Sequence, residues 1–177
     1  MRTKATRAQE ILFVVESNLN ELNDVNVSTA FSRLGKMAKQ REFPGDLTGD
    51  EAFRGLLRRA RDFALKGRFP ARNLAKVFHA IATLCATRRL DVPDDTVEET
   101  WAALDGAAVQ AAPDMNSQDV GNALWAYATL GKMPERKSWE ALEGAAARVA
   151  PDMEPQHLSN ALWAHAKHIC SIYPFPS

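Results

Sequence analysis

Apolar residues recur every three to four positions along most of the chain, and polar turns interrupt them at regular distances. The stretch 117–130 shows the pattern clearly, with apolar residues at Val120, Ala123, Leu124, Tyr127 and Leu130. This is the spacing of one face of an α-helix. Asn116 or Ser117 is a suitable N-cap, and Gly131 followed by Pro134 is typical of a helix end. The pattern predicts an amphipathic helix here.

The same spacing predicts helices elsewhere in the chain. A second helix begins near Ser138 and ends at Pro151, and an earlier one covers residues 49–66. A lone helix is expected at 7–22 and a last one at 155–170. No segment shows the sustained alternation of a strand, so the sequence predicts an all-α protein.

Two blocks of the sequence return after the same interval. "APDMNSQDVGNALWAYA" (112–128) aligns with "APDMEPQHLSNALWAHA" (150–166). "WAALDGAA" (101–108) aligns with "WEALEGAA" (139–146) at the same shift in numbering. Because two separate blocks agree on one interval, the chain contains a true internal repeat.

Weaker copies of the repeat precede these two. "NLAKVFHAIATL" (73–84) matches "DVGNALWAYATL" (119–130), and "NVSTAFSRLGKM" (26–37) matches "NALWAYATLGKM" (122–133). The first helix of each unit is therefore expected to begin near residues 24, 72, 118 and 156, and the last unit lacks its second helix.

A unit of two helices cannot bury its apolar stripe alone, and neighbouring units must stack to do so. We therefore expect residues 1–177 to form one α-solenoid of stacked antiparallel helical hairpins with a 38-residue repeat. Neither end carries the polar cap of a complete solenoid. The chain is expected to be a fragment, or other proteins cover its ends.

The length and the residues of the repeat resemble those of the octotricopeptide repeat family. The residues that carry the resemblance are "NSQDVGNALWAYATLG" (116–131), "EPQHLSNALWAHA" (154–166) and the second-helix tryptophans Trp101 and Trp139. The resemblance covers residues 98–168 and, more loosely, 24–97. It extends to the helical repeats that precede RAP domains in FAST-kinase-like organelle proteins.

The resemblance implies a function in organelle gene expression. Such families bind single-stranded RNA along an α-solenoid and help to stabilise, process or translate transcripts of the mitochondrion or chloroplast. The basic N-terminus "MRTKATRAQ" agrees with an organelle location; the alternative is a cytoplasmic one. The family's catalytic domains are not matched, so the resemblance implies a binding protein and not an enzyme.

One face of the first helices carries groups suited to RNA. Amides, cations and rings can bond base edges, neutralise phosphates and stack on bases. At the spacing i, i+4, i+7, i+11, the candidate RNA-binding residues are Arg33, then Arg72, Lys76 and His79, then Gln118, Asn122 and Trp125, then Gln156, Asn160 and Lys167. Asn26, Thr29, Thr83, Thr129 and Trp163 occupy the remaining positions of this face.

The recurrence of some of these residues favours a second interpretation. A repeat that reads RNA base by base should vary at its reading positions, whereas Asn122 returns as Asn160 and Trp125 as Trp163. Their sameness favours scaffolding, through an amide bond between helices and a packed ring. The positions that vary between copies include Asn73/Asp119/His157 and Ala75/Gly121/Ser159, which are better candidates for discrimination.

The helix predicted at 49–66 adds a basic stripe. Arg54, Arg58 and Arg61 lie opposite its apolar stripe and could follow a phosphate backbone. A solvated charged face explains the same pattern equally well. The charges also differ between the two halves of the chain: residues 1–90 carry 17 Lys and Arg against 9 Asp and Glu, and residues 91–177 carry 5 against 13. An anionic partner is expected to meet the N-terminal half first.

Other classes of function lack support in the sequence. No apolar run approaches the roughly 18 residues that cross a membrane, and no motif indicates a cofactor or an enzyme. His165, His168 and Cys170 lie close in sequence, but His165 occupies the apolar position of Tyr127, so no metal site is expected. The alternative to RNA binding is a protein-interaction scaffold or a structural subunit of a larger assembly.

Overall fold

The computed structural model describes residues 7–38, 40, 43, 45–91 and 94–172, without the side chains of 168–172. These residues form eight α-helices, three short 3-10 helices and no strand, which confirms the all-α class. The α-helices are α1 (Arg7–Asn18), α2 (Asp24–Met37), α3 (Glu51–Leu65), α4 (Ala71–Ala86), α5 (Asp95–Ala111), α6 (Ser117–Leu130), α7 (Arg136–Val149) and α8 (Pro155–Ile172). None of them is long and apolar enough to span a membrane.

The helices pack in two rows. In the even row, α2, α4, α6 and α8 each contact the next. In the odd row, α1, α3, α5 and α7 do the same. Contacts between the rows join helices that are neighbours in sequence, such as α4 with α5 and α6 with α7. The apolar core therefore runs between the rows from one end of the protein to the other.

Two of the even helices, α2 and α6, begin at capping boxes. Asn116 accepts a hydrogen bond from the backbone N–H of Asp119, and Asp119 accepts one in return from the N–H of Asn116. Asn23 and Asn26 form the same reciprocal pair at the start of α2. Asn116, rather than Ser117, is thus the N-cap of α6. Each capping box satisfies two N–H groups that the helix itself cannot bond.

Small residues let the even helices approach closely. Ala80, Ala126 and Ala164 are all buried within this row. A Cβ added to Gly121 would lie 3.2 Å from the Cβ of His157 on α8, and one on Gly35 would lie 3.2 Å from the Cα of Ala80. A larger side chain at either glycine would push two helices apart.

The structure sets a different register for the first copy of the repeat than the sequence alignment. The alignment pairs the identical "LGKM" segments, yet Gly35 lies inside α2 while Gly131 ends α6 in the left-handed conformation, with φ of 63°. The equivalent N-caps are Asn23, Asn116 and, for α4, Pro70. Counted from these caps, the first copy is shifted by three positions, so that Ser32 aligns with His79 and Trp125, and Lys36 with Thr83 and Thr129.

A group of aromatic rings fills the core between α4, α5 and α6. The ring centroid of Trp101 lies 5.0 Å from that of Phe78 and 5.2 Å from that of Tyr127. The centroids of Phe78 and Tyr127 are 5.3 Å apart. Because the three rings come from three helices, they fix both the even row and its contact with the odd row.

A buried carboxylate lies beside these rings. The Tyr127 hydroxyl donates a hydrogen bond to Asp105, which is only 5% exposed. Ser138 donates to the same carboxylate over 2.8 Å, and the backbone N–H of Glu135 lies 3.4 Å from it. Burial and the nearby Asp105 charge raise the pKa of Tyr127 well above its usual value. Asp105 thus joins α5 to α6 and to the start of α7.

The next pair of units contains a variant of this arrangement. Glu143, His165 and Trp139 stand one repeat length after Asp105, Tyr127 and Trp101. The His165 ring nitrogen lies 3.5 Å from the Glu143 carboxylate, and its ring centroid lies 4.9 Å from that of Trp139. The contact between an acid on the odd row and a ring on the even row therefore recurs.

Two arginines of the odd row bond carbonyl groups of the segments that lead into even helices. Arg59 on α3 donates to the carbonyl of Leu22, and Arg148 on α7 donates to that of Met115. Leu22 and Met115 each precede the asparagine cap of an even helix. Both guanidinium groups thus donate to backbone carbonyls that lie outside the helices and take no part in helical hydrogen bonds.

We predict that Tyr127→Phe lowers the free energy of unfolding by about 1–3 kcal/mol, because the buried Asp105 carboxylate then loses one of its donors. Chemical denaturation followed by circular dichroism measures the change. Thr129→Val is the matched control, since the Thr129 hydroxyl is buried without a partner among the described residues. An equal effect of both substitutions would contradict the assigned role of Asp105.

Candidate nucleic-acid interface

The exposed side of the even row carries basic, amide and aromatic side chains. All of them are exposed or half-buried. This even-row surface consists of Lys36, Arg72, Lys76, His79, Gln118, Asn122, Trp125, Gln156, Asn160, Trp163 and Lys167. It includes nine of the thirteen residues predicted from the sequence as RNA contacts, with Lys36 and Trp163 in addition.

Rings connect neighbouring helices on this surface. The His79 and Trp125 ring centroids are 4.7 Å apart, and their planes are inclined by 30°. On α8 the Lys167 ammonium lies 5.8 Å from the centre of the Trp163 ring. Trp125 is only half-buried, so its indole packs against the neighbouring helix and still offers area to a ligand.

The even helices have few carboxylates. Within their bounds they contain the cations Arg33, Lys36, Arg72, Lys76 and Lys167, but only two acids, Asp24 and Asp119. The odd helices contain ten acids and eight cations, so the even helices have a net excess of three cations and the odd helices a net excess of two acids. Comparing the two halves of the chain does not reveal this separation, because the rows alternate along the sequence.

Neither acid of the even row is fully exposed. Asp24 accepts a hydrogen bond of 2.8 Å from the Asn73 side chain. Asp119 is buried in its capping box, and burial raises its pKa although Arg72 and Lys76 oppose the shift. In the described part of the chain, Lys36, Arg72, Lys76 and Lys167 form no ion pair. The surface therefore presents cations without competing carboxylates.

The recurring amides do not form the expected bonds between helices. No described residue bonds the Asn122 side chain within hydrogen-bond distance, and Asn160 accepts a bond of 3.3 Å from Gln156 of its own helix. The scaffolding interpretation of the two asparagines thus lacks the inter-helix contact that it required. For Trp125, by contrast, the packing against His79 is present.

Arg33 lies apart from the even-row surface. In the register set by the N-caps it takes the place of the buried alanines Ala80, Ala126 and Ala164. It lines a cavity of about 690 Å³ between α1 and α2, together with Arg7 and Glu10. This cavity lies at the α1–α2 end of the rows.

The basic stripe predicted on α3 belongs to the odd row. Arg54 donates to the Thr48 carbonyl over 3.3 Å, to Asp94 over 3.2 Å and to Thr96 over 2.8 Å. Arg61 pairs with Glu99 on α5. These two guanidinium groups hold α3 against α5 and the segment that leads into it. They do not join the cations of the even row.

Arg58 differs from its neighbours on α3. Its side chain is 54% exposed, and its nearest carboxylate, Glu51, lies at 3.8 Å. The predicted stripe thus contains one exposed cation and two that bind acidic side chains. Those two acids are distant in sequence, so residue spacing alone could not pair them with their arginines.

A cavity of about 330 Å³ opens between α2, α4 and α6. Its lining includes Ser32, Lys36, His79, Thr83, Thr87 and Trp125. The sequence did not indicate this cavity, for two reasons. Three helices contribute to it, and the register assigned to α2 placed Arg33 there instead of Lys36.

The Cys85 thiol is half-buried and has a shifted pKa. No group of three or more metal-ligating side chains occurs among the described residues, and the side chains of His168 and Cys170 lie outside them. Burial raises the pKa of Cys85 to about 12. This thiol is therefore protonated, and not nucleophilic, at neutral pH.

Comparison of the chain with protein-family models, curated proteins and solved structures finds no match.

The two roles of the α3 arginines can be separated by stability measurements. We expect Arg54→Ala to lower the free energy of unfolding by about 1–3 kcal/mol, because it removes the cation that pairs with Asp94 and a donor to the Thr48 carbonyl. Arg58→Ala should change it by less than about 0.5 kcal/mol, as for other exposed side chains. Urea denaturation of both variants tests the assignment, and similar losses would contradict it.

Proposed function

We propose that this protein is a helical-repeat adaptor that binds single-stranded RNA along its even-row surface. The observation that carries the proposal is the separation of charge between the rows. Cations, amides and rings lie together on the even row without a fully exposed carboxylate in its described helices, and ten of the twelve acids within the α-helices lie on the odd row. RNA-binding surfaces combine these three kinds of group.

The rows also support the proposed α-solenoid of helical hairpins with a 38-residue repeat. Each helix contacts its neighbours within its own row, as expected of stacked units. The short 3-10 turns Ala112–Asp114 and Ala150–Asp152 are separated by one repeat length. The Asp105–Tyr127 contact returns at the same interval as the Glu143–His165 contact.

The even-row surface suggests how an RNA strand would bind. Arg72 and Lys76 near the start of α4, with Lys36 on α2 and Lys167 on α8, are placed to neutralise phosphates along the row. The half-buried Trp125 and the exposed Trp163 offer ring faces on which unpaired bases can stack. The amides Gln118, Asn122, Gln156 and Asn160 can bond base edges.

The resemblance to octotricopeptide repeats adds a cellular setting to this proposal. It suggests that the adaptor works in the mitochondrion or the chloroplast, where it would stabilise, process or help to translate a transcript. That part rests on the quoted repeat residues alone. The side chains of the even-row surface support the RNA-binding part of the proposal.

One observation favours the alternative function of a protein-interaction scaffold. Leu158 and Leu162 on α8 are 44% and 62% exposed. Their counterparts one repeat earlier, Val120 and Leu124, are fully buried. A further helical unit from a protein partner could cover this face as α8 covers α6.

We predict that a fluorescein-labelled single-stranded RNA binds the protein in a salt-sensitive manner. The double variant Arg72→Glu/Lys76→Glu should weaken binding at least about tenfold. It should also flatten the dependence of log K on log salt by about 0.7 for each phosphate that is no longer neutralised. Fluorescence anisotropy at two salt concentrations measures both quantities.

Arg58→Glu is the control for this experiment. It reverses an exposed cation on the odd row and should change the affinity less than about twofold, because it lies off the proposed path. Equal losses in both variants would rule out the even row as the specific site. If no RNA binds, and Leu162→Asp abolishes capture of a defined protein partner, the scaffold function replaces RNA binding.

A further inference from the structure

The cavity between α2, α4 and α6 has the form of a small binding site within the even-row surface. It has a volume of about 330 Å³, at the lower end of the range of small-ligand pockets. Trp125 and His79 supply planar rings from α6 and α4, and Ser32 and Lys36 supply polar groups from α2. Nothing in the sequence alignment brings these four residues together.

Its lining is rich in hydrogen-bond donors. Ser32, Lys36 and the indole N–H of Trp125 have no acceptor within hydrogen-bond distance among the described residues. None of the described residues that line the cavity has a carboxylate. A ligand with oxygen or nitrogen acceptors would therefore meet three donors and no anionic competitor.

The threonines of the cavity offer hydrogen-bond acceptors instead of donors. Thr83 donates its hydroxyl proton to the His79 carbonyl over 2.7 Å, and Thr87 donates to the Thr83 carbonyl over 2.8 Å. Their hydroxyl oxygens are thus left with lone pairs that can accept a bond. A ligand that combines acceptors with a ring N–H matches this set.

We propose that the cavity binds one unpaired base of the RNA, and that it favours a base with carbonyl acceptors, uracil or guanine. The base lies against the Trp125 ring, the carbonyl oxygen that uracil and guanine share (O4 or O6) faces Ser32 and Lys36, and the adjacent ring N–H faces the threonines. The subsite rests on the proposed RNA-binding function and adds a base preference to it.

The chemistry of the bases explains the preference. Uracil presents a ring N–H between two carbonyl oxygens, and guanine presents one beside its single carbonyl oxygen. Adenine and cytosine have no ring N–H on this edge and carry an amino group at the position of the guanine carbonyl and of one uracil carbonyl. An amino group would meet the Lys36 ammonium, a donor that cannot accept a bond. A paired base cannot enter, because its Watson–Crick edge is occupied and its faces are stacked.

The experiment compares oligouridine, oligoadenosine and oligocytidine of equal length, about 15 nucleotides, which covers the site sizes of similar surfaces. Oligouridine represents the carbonyl bases, since guanosine runs associate with one another. We expect the protein to bind oligouridine about tenfold more tightly than the other two, the effect of one hydrogen-bond mismatch. Fluorescence anisotropy measures the three dissociation constants.

Substitutions then test whether the base preference arises at this cavity. Ser32→Ala removes one donor and should reduce the ratio of affinities to below about threefold. Trp125→Ala should reduce affinity for all three strands about tenfold, while Trp125→Phe, which keeps a stacking ring, retains most of it. The matched control is Trp163→Ala, which removes the equivalent ring of α8 outside the cavity and should leave the ratio unchanged.

The outcomes separate the subsite from the function. Salt-sensitive binding with equal affinity for the three strands would overturn the subsite and leave RNA binding in place. A preference that survives Ser32→Ala, or an affinity that Trp125→Ala leaves unchanged, would also overturn it. If none of the strands binds, both the subsite and the proposed function are wrong. Circular dichroism of each variant establishes that it is folded before binding is measured.

Discussion

The close approach of the even helices is the constraint on which the other features of the structure depend. Ala80, Ala126 and Ala164 bring helix backbones together, and Gly35 and Gly121 leave room for a neighbouring helix at distances where a Cβ would be crowded. Helices that are this close can share a cavity and bring rings of adjacent units into contact. Side chains of ordinary size at these positions would separate the rings of His79 and Trp125.

The odd row stabilises this arrangement with polar contacts. Arg59 and Arg148 bond the carbonyls that precede two even-helix caps, and Asp105 receives donors from Tyr127 and Ser138. Several ionic groups of the odd row therefore serve the fold, including Arg54 and Arg61. The even row can leave its cations unpaired because packing, and not ion pairing, holds its helices together. The odd row thus supplies polar contacts that stabilise the fold, and the even row supplies the candidate binding surface.

The sequence predicted the helical class and the positions of most helices, because apolar spacing and cap residues are local signals. It could not predict the partners of Arg54 and Arg61, which lie far along the chain and meet them across a helix–helix contact. The register that the sequence alignment assigned to α2 was wrong for a different reason. The identical "LGKM" letters have different conformations, one inside a helix and one at its end. The cavity at Ser32 and Lys36 depended on that register, and so it was found only in the structure.

The separation of charge between the rows has a consequence for encounters in solution. The chain has a formal net charge of zero, so it has no overall attraction to a polyanion at long range. Opposite excesses on two parallel rows nevertheless produce an electric dipole moment across the protein. Its field decays faster than that of a net charge and depends on direction. A polyanion that comes near would turn the molecule before touching it, and would meet the even row first.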